Sequence, residues 1–464
     1  MEQRADPTFK GNLGEGRHGW LRLTPAYSAE MVRRYPPGLA RKGGGERAGA
    51  EVVFDPFCGS GTTPLVAAQA GHEACALEVN PFLVWLAKAK TARYDPATVK
   101  EVRRAGEHLI GLFRSGEAPR ADPPPITDIE RWWDEAALGF LRSVKGGIEQ
   151  YRLRRRHRRR HRRRSLASAA GGGNAGKVVD LLRVAFCRTL AKLSDAAFDH
   201  QSISPGNEEG GQQNLFDAEA RHTDIFASDV KFVTDSAAEG NPPEGPPEVR
   251  VLRGDARAAG ECLTICLAQG DSGATARAAA RGNARYVDRV ITSPPHPKRM
   301  FYLRALRPYM YWLGYLTEPG KAGRLDWKTI GGTWGVTTSG LTDWARSGEE
   351  RGYYYPEYFT RKLDAIKSGK NRNGLKMANY VARHFEDTLS HFQSLASSGV
   401  LRKRARAHYV VSNSTFHGVA IPTLRLYKEM MEKVGFSEVE VETLRKRNSK
   451  KELYEFVVSA RYDR

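Results

Sequence analysis

Asp55-Pro-Phe-Cys-Gly-Ser-Gly-Thr-Thr63 is the stretch from which the fold of this 464-residue chain is read. Ahead of it, Glu51–Asp55 has the apolar, β-branched character of a short buried strand, and behind it Thr62–Gly71 reads as a helix. Gly59 and Gly61 let the backbone turn sharply and approach a ligand, and the helix that opens there offers N–H donors to anionic groups. Glu73–Glu78 is a second strand and Pro81–Ala92 a second helix, which completes a β-α-β-α unit. Glu78 ends its strand at the place where an acid commonly takes ribose hydroxyls. A plain tight turn or a dinucleotide site would use similar glycines. The third glycine of the dinucleotide fingerprint is absent, with Leu65 near its place, and Asp55 suits a cationic ligand better than a pyrophosphate.

The same rhythm resumes far downstream. Glu248–Leu252, Tyr286–Thr292, His408–Ser412, Ser437–Thr443 and Leu453–Ala460 read as strands, which with the first two makes seven. Helices at Ala256–Ala268, Met300–Leu316, Met377–Ser398 and Pro422–Val434 separate most of them, and the last two strands read as an antiparallel hairpin at a sheet edge. The expectation is an α/β fold, a Rossmann-like seven-stranded sheet with a large, mostly helical insertion between strands 2 and 3. Its parts are an N-terminal segment (1–46), a first sheet portion (47–96), the insertion (97–247) and a second sheet portion (248–464). The insertion is far longer than an αβ loop. It carries helical patterns at Val99–Phe113, Ile129–Tyr151 and Lys177–Phe198, and linker-like stretches at Ser204–Gln213 and Ser236–Pro247. Leu325–Tyr354, rich in Gly, Trp and Tyr, reads as irregular.

The chain is basic, with a net charge of +20, which favours a polyanionic partner such as nucleic acid. Ten arginines lie between Arg152 and Arg164, so half of that +20 sits in thirteen residues. This run reads as a non-specific grip on DNA, as a disordered arm or as a low-complexity expansion, with the arm readings ahead. The five cysteines are scattered, which argues against a disulfide framework and for a reducing compartment. Cys262 and Cys266 share a helical face, but no further ligands complete a zinc set. Met1–Lys10 is polar and no apolar run approaches eighteen residues, so secretion and membrane spanning are not expected and a cytoplasmic location is.

A second motif ends the fourth strand: Val290-Ile-Thr-Ser-Pro-Pro-His296. Consecutive prolines stop a central strand and stiffen the chain at the carboxyl end, where open α/β sheets place ligands; a rigid turn is the plain alternative. Together, Asp55–Thr63 and Thr292–Pro295 resemble the cofactor and catalytic loops of S-adenosylmethionine-dependent DNA methyltransferases that modify exocyclic amino groups, N4 of cytosine or N6 of adenine. The resemblance covers roughly residues 20–95 and 248–462. Ser293 before the prolines leans towards N4-cytosine, since adenine enzymes more often carry Asp or Asn there.

The resemblance implies S-adenosylmethionine as cofactor. Asp55, Pro56, Phe57, Gly59, Gly61 and Thr62 would form its loop, with Asp55 and the glycines on the methionine part. Glu78 would take the ribose, Asp255 would lie by the adenine, and Tyr27, in Leu23-Thr-Pro-Ala-Tyr-Ser28, would complete the pocket or serve as a core aromatic. Ser293 and the Pro294 carbonyl would accept hydrogen bonds from the amino group, with Pro295 shaping the turn. His296 stands where such enzymes carry an aromatic that stacks on the flipped base. Candidates for contact with DNA phosphates are Lys298, Arg299, Arg304 and Arg307 with Tyr309, then Gly331–Gly335, and Arg445 and Arg447 in a charged loop between the last two strands. The expected partner is double-stranded DNA. RNA is the alternative, as in guanine-N2 tRNA methyltransferases. A catalytically inactive nucleic-acid-binding relative is the reading of a different class, with an NAD-dependent oxidoreductase further off. A restriction-modification role beside a cognate endonuclease is what the resemblance implies.

Overall fold

The computed structural model describes residues 10–23, 27–35, 50–164, 174–195, 215–243, 248–268, 286–297, 303–332, 340–341, 344, 355–369, 373–448 and 453–463. Seven strands of these residues form one sheet: β1 (Val52–Asp55), β2 (Glu73–Glu78), β3 (Val249–Arg253), β4 (Val287–Thr292), β5 (Leu401–Ser412), β6 (Phe436–Asn448) and β7 (Leu453–Tyr462). Their order is β3-β2-β1-β4-β5-β7-β6. The first five are parallel and β7 is antiparallel to both its neighbours. This is the Rossmann-like seven-stranded sheet that the strand pattern predicts. The chain moves outward through β1, β2 and β3, then returns to lay β4 on the other side of β1. The crevice at that reversal, outside the carboxyl ends of β1 and β4, is where such sheets take ligands.

Local chemistry sets the helices on the sheet. Helix α1 (Ala29–Arg33) precedes β1, and α2 (Thr62–Gln69) opens directly from Gly61. Helix α3 (Pro81–Thr91) starts with proline in its first turn, and the Asn80 side chain caps the Phe82 N–H at 2.9 Å. Helix α4 (Pro96–Arg114) repeats the device, with Asp95 accepting from the Thr98 N–H at 2.6 Å.

The expected insertion supplies α4, α5 (Glu135–Arg164), α6 (Asn174–Lys192) and α7 (Leu215–Glu239). They dock on the helical layer beside the sheet. Val102, Phe140, Leu182 and Phe226 share one apolar core with Phe82 and Leu86 of α3 and with Tyr309 and Met310 of α9 (Arg307–Trp312). On the opposite face, α8 (Ala259–Ala268), α12 (Gly374–Ala396) and α13 (Thr423–Lys433) pack a second core against β4, β5 and β7. Helices α10 (Pro319–Lys328) and α11 (Glu357–Lys367) complete the series.

Several expectations need correction. The backbone of the arginine run is the last part of α5 and is helical, where a disordered arm is expected. Arginine is a good helix former and nothing in the run breaks a helix. Helix α7 extends to Glu239, into the stretch read as a linker from Ser236. Within Met300–Leu316 the described α-helix is only Arg307–Trp312, with Pro308 in its first turn. Strand β6 is longer than its apolar segment because its charged outer half is held by pairing with β7, and β5 starts earlier than expected, at Leu401, with a bulge over 402–405 before its pairing with β4 resumes at Arg406. A short hairpin, Ser414–Phe416 with Val419–Ile421, lies outside the sheet.

The N-terminal segment is stapled by a buried guanidinium. Arg17, 1% exposed, donates to the carbonyls of Lys90 (3.0 Å), Ala92 (2.6 Å) and Ala237 (2.5 Å) and to Asn241 Oδ1 (2.7 Å). Burial lowers its pKa to about 10, which leaves it charged at neutral pH. One side chain thus joins the N-terminal segment, the end of α3 and the end of α7. Arg17→Met should destabilise the protein by about 2–4 kcal/mol in urea unfolding, because it strands buried acceptors. Arg17→Lys should recover only part of that, since one ammonium cannot span four acceptors in a fork.

Candidate active site

Four consecutive parallel strands place an acid or a hydroxyl at one edge of the sheet. Asp55 ends β1, Glu78 ends β2, Asp255 stands two residues beyond β3, and Ser293 follows β4. The strand register alone brings together residues from opposite halves of the chain.

Asp55 is fully buried. Its Oδ1 accepts from the Phe57 N–H at 3.0 Å and from Thr292 Oγ1 at 2.5 Å. Its Oδ2 is buried without a hydrogen-bond partner among the described residues. Burial pushes the Asp55 pKa up to about 6, only partly opposed by the hydrogen bonds from Thr292 and the Phe57 N–H. The result is a buried acceptor with one oxygen idle, the half-site that an ammonium group would complete.

The loop behind Asp55 is held by Glu78, whose two oxygens accept from the Gly59 N–H at 2.9 Å and the Asn80 N–H at 2.8 Å. Burial raises the Glu78 pKa to about 7. Gly59 and Gly61 have φ of 53° and 87°. Gly61 also makes room for packing, since a methyl there would stand 2.9 Å from the Ala87 Cβ of α3. Thr62 is buried at the start of α2. Phe57 meets the His391 ring edge-on at 5.0 Å.

Tyr27 lies over the first turn of α2. Its hydroxyl hydrogen-bonds Thr63 Oγ1, which in turn donates to the Ile291 carbonyl at 3.1 Å. Asn12 holds this segment, donating to the Tyr27 carbonyl at 2.9 Å and accepting from the Ala29 N–H at 2.8 Å. Asp255 is already engaged: it accepts from the Arg257 N–H at 3.0 Å and pairs with the Arg257 guanidinium at 2.6 Å, which also reaches Asp387 at 3.1 Å.

Ser293 is half-buried and donates its hydroxyl proton to the Val410 carbonyl of β5 at 3.3 Å. That donation leaves the lone pairs of Oγ available to accept. Pro294 is buried, while Pro295 and His296 are half-buried.

The expected phosphate contacts fare differently. Lys298, Arg299 and 333–335 lie outside the described residues. Arg304 and Arg307 are half-buried, with Arg307 over the Tyr311 ring at 5.8 Å. Tyr309 is a core residue, stacked on Phe82 at 5.5 Å, because it occupies the inner face of α9. Arg445 belongs to β6 rather than a loop and pairs across the hairpin with Glu455 at 2.6 Å. Arg447 is in the same strand. Sequence reasoning missed Asn12, Arg17 and the histidines of α12; only their unusual burial reveals them. No group of three or more His, Cys, Asp or Glu among the described residues could hold a metal ion, and no helix there is long and apolar enough to cross a membrane.

No protein-family model matches the chain. Over 103 residues it is 24% identical to the Type II methyltransferase M.MvaI of Kocuria varians, covering 21% of this chain and 23% of that protein. The chain therefore matches less than a quarter of that relative's length. Two structures of the rRNA methyltransferase aviRa from Streptomyces viridochromogenes align over 99% of this chain and 94% of theirs, at 13% and 12% identity and TM-scores of 0.29 and 0.28. Likeness that slight carries no argument, and the fold rests on the strand order itself.

The Asp55 environment predicts a pH signature. The folded protein keeps the Asp55 proton up to about pH 6, whereas the unfolded chain releases it near pH 4. The cost of burying the charge is therefore absent below about pH 4, grows between the two values and is complete above them. Asp55→Asn lacks this titration. Its stability relative to the parent, followed by urea unfolding without ligand, should rise by about 3 kcal/mol from pH 4 to pH 7.

Proposed function

We propose that this chain is an S-adenosylmethionine-dependent DNA methyltransferase that modifies the exocyclic amino group of a base flipped out of the duplex, N4 of cytosine ahead of N6 of adenine. The observation that carries the reading is the direct hydrogen bond from Thr292, in the second motif, to Asp55, in the first. It sets an idle buried acceptor beside a serine hydroxyl at the β1/β4 crevice. The limited similarity to a type II methyltransferase supports methyl transfer as the class of chemistry.

The residues fit the cofactor. The idle Asp55 Oδ2 matches the ammonium of its methionine part, the Gly59–Gly61 turn allows close approach, and Glu78, held in place by two N–H groups, is set for ribose hydroxyls. Pro56, Phe57 and Thr62 shape the loop, Tyr27 closes it from above, and Asp255 would stand by the adenine. When bound, the cofactor supplies an electrophilic methyl group on sulfonium sulfur.

An exocyclic amino nitrogen is a poor nucleophile while its lone pair is delocalised into the ring. Ser293 Oγ and the Pro294 carbonyl would accept its two protons and favour the pyramidal form, and Pro295 would stiffen that arrangement. Positioning and preorganised dipoles then do the catalysis. His296 would stack on the flipped base with a flat imidazole. Ring-carbon methylation needs a nucleophilic cysteine, but Cys58 is buried, with its thiol pushed well above the ordinary range by desolvation. Basic segments, among them the helical run to Arg164, would hold phosphates, with double-stranded DNA as the partner ahead of RNA. A restriction-modification role, with a cognate endonuclease, goes with the resemblance and belongs to the same proposal.

The test is methyl transfer from labelled S-adenosylmethionine to unmethylated duplex DNA, single-stranded DNA and tRNA, with the products digested to nucleosides and identified by mass. N4-methylcytosine in duplex DNA, reduced at least about a hundredfold by Ser293→Ala, is the expected result. N6-methyladenine would keep the mechanism and overturn the base. Product in tRNA alone would move the reading to RNA. Cofactor affinity should also fall about tenfold per pH unit below pH 6, as Asp55 takes up its proton, when measured by calorimetry.

A further inference from the structure

Helix α12 runs past both loops of the crevice and carries two histidines on one face. His391 meets Phe57 of the first loop and is saturated, with Nδ1 2.9 Å from the Ala256 carbonyl and Nε2 2.8 Å from the Tyr409 hydroxyl. Two turns away, about 10 Å along the helix, His384 is equally buried, at 1% exposure. Neither of its ring nitrogens has a hydrogen-bond partner among the described residues. Burial drives its pKa down to about 3, so the ring is neutral and holds one donor and one acceptor, both idle. Idle polar atoms in an interior are costly and rare.

Beside this ring the chain leaves out a side chain. Gly331 has φ of 76°, and a methyl group on it would stand 3.4 Å from His384 Nδ1, 3.5 Å from the Tyr380 hydroxyl and 3.6 Å from Pro295 Cβ. The missing methyl is a notch bounded by the second proline of the catalytic loop and two polar groups of α12. Tyr380 donates to the Gly331 carbonyl at 3.2 Å, which keeps the notch edge in place.

We infer that His384, with Tyr380 beside it, forms the wall of the base pocket opposite Ser293 and hydrogen-bonds the ring edge of the target base, which makes it a specificity-determining residue. This rests on the amino-methyltransferase reading. On the pairing edge, cytosine and adenine both carry an acceptor ring nitrogen next to the carbon that bears the amino group, whereas guanine carries N1–H there. A neutral imidazole that donates its N–H selects the first two. His391 leaves no such capacity, since both its nitrogens are taken.

The experiment compares the full-length protein with His384→Leu and His384→Gln in three readouts: thermal melting, S-adenosylmethionine binding by calorimetry, and kcat and KM for methyl transfer to duplex DNA. His384→Leu should melt at the same or a higher temperature, because it removes idle polar atoms. It should bind the cofactor within about twofold of the parent and lose about ten- to a hundredfold in kcat/KM. His384→Gln should regain part of the loss. A His384→Leu protein that folds and transfers methyl as fast as the parent overturns the inference, since the ring would then be a packing residue. If His384→Leu folds poorly, His384→Phe, which keeps a flat ring without nitrogens, carries the same two outcomes. A parent protein that methylates no nucleic acid overturns the functional reading, and this inference with it. That result is told apart from the first by the parent's own inactivity.

Discussion

The bond from the Thr292 hydroxyl to Asp55 is the contact on which the candidate site depends. It lies between adjacent strands, one from each half of the chain, at the point where the strand order reverses. It commits one oxygen of a fully buried carboxylate and leaves the other idle. Everything else described at the crevice is arranged around that half-used acid. Glu78 holds the loop that follows it, Tyr27 and Thr63 close the side, and Ser293 stands one residue beyond the donor.

Much of this was legible in the sequence, for a physical reason. Glycines with positive φ and paired prolines are strong local constraints, so Asp55–Thr63 and Thr292–Pro295 declare themselves without knowledge of the rest. The parallel core strands are apolar on both faces and read as short runs, which placed β1, β2 and β4 to within a residue. What escaped has no local signature. Arg17 finds its acceptors 73 to 224 positions away, and no pattern around it marks the guanidinium as buried. Strand β6 is charged through its outer half, so its length follows from pairing with β7 and not from hydropathy. Tyr309 and Arg445 look like surface contacts in the sequence, but one is stacked in a core and the other is neutralised across a hairpin.

The buried polar groups divide into two kinds. His391 and Asp229 are satisfied: Asp229, fully buried, takes Arg188 at 2.9 Å, Lys192 at 2.6 Å and the Thr189 hydroxyl at 3.0 Å. Asp229, which holds Arg188 against the Gly19 and Trp20 carbonyls, helps fix how the helices of the 97–247 region dock on the N-terminal segment. Asp55 and His384 are among the buried groups that keep idle atoms, and these two lie one beside each loop of the crevice. Interiors tolerate such atoms where a visiting molecule completes them.

The pairing of Val53 with Arg289 has a consequence for how the chain is made. Strand β1 leaves the ribosome long before β4, and at ordinary elongation rates the interval is on the order of ten seconds or more. For that time one edge of an apolar strand has no neighbour, and an open edge of that kind invites pairing with other chains. The helices α4 to α7 emerge within the same interval and build their core on α3. The long excursion between the two halves of the sheet thus gives the nascent protein something to fold against while its central strand waits.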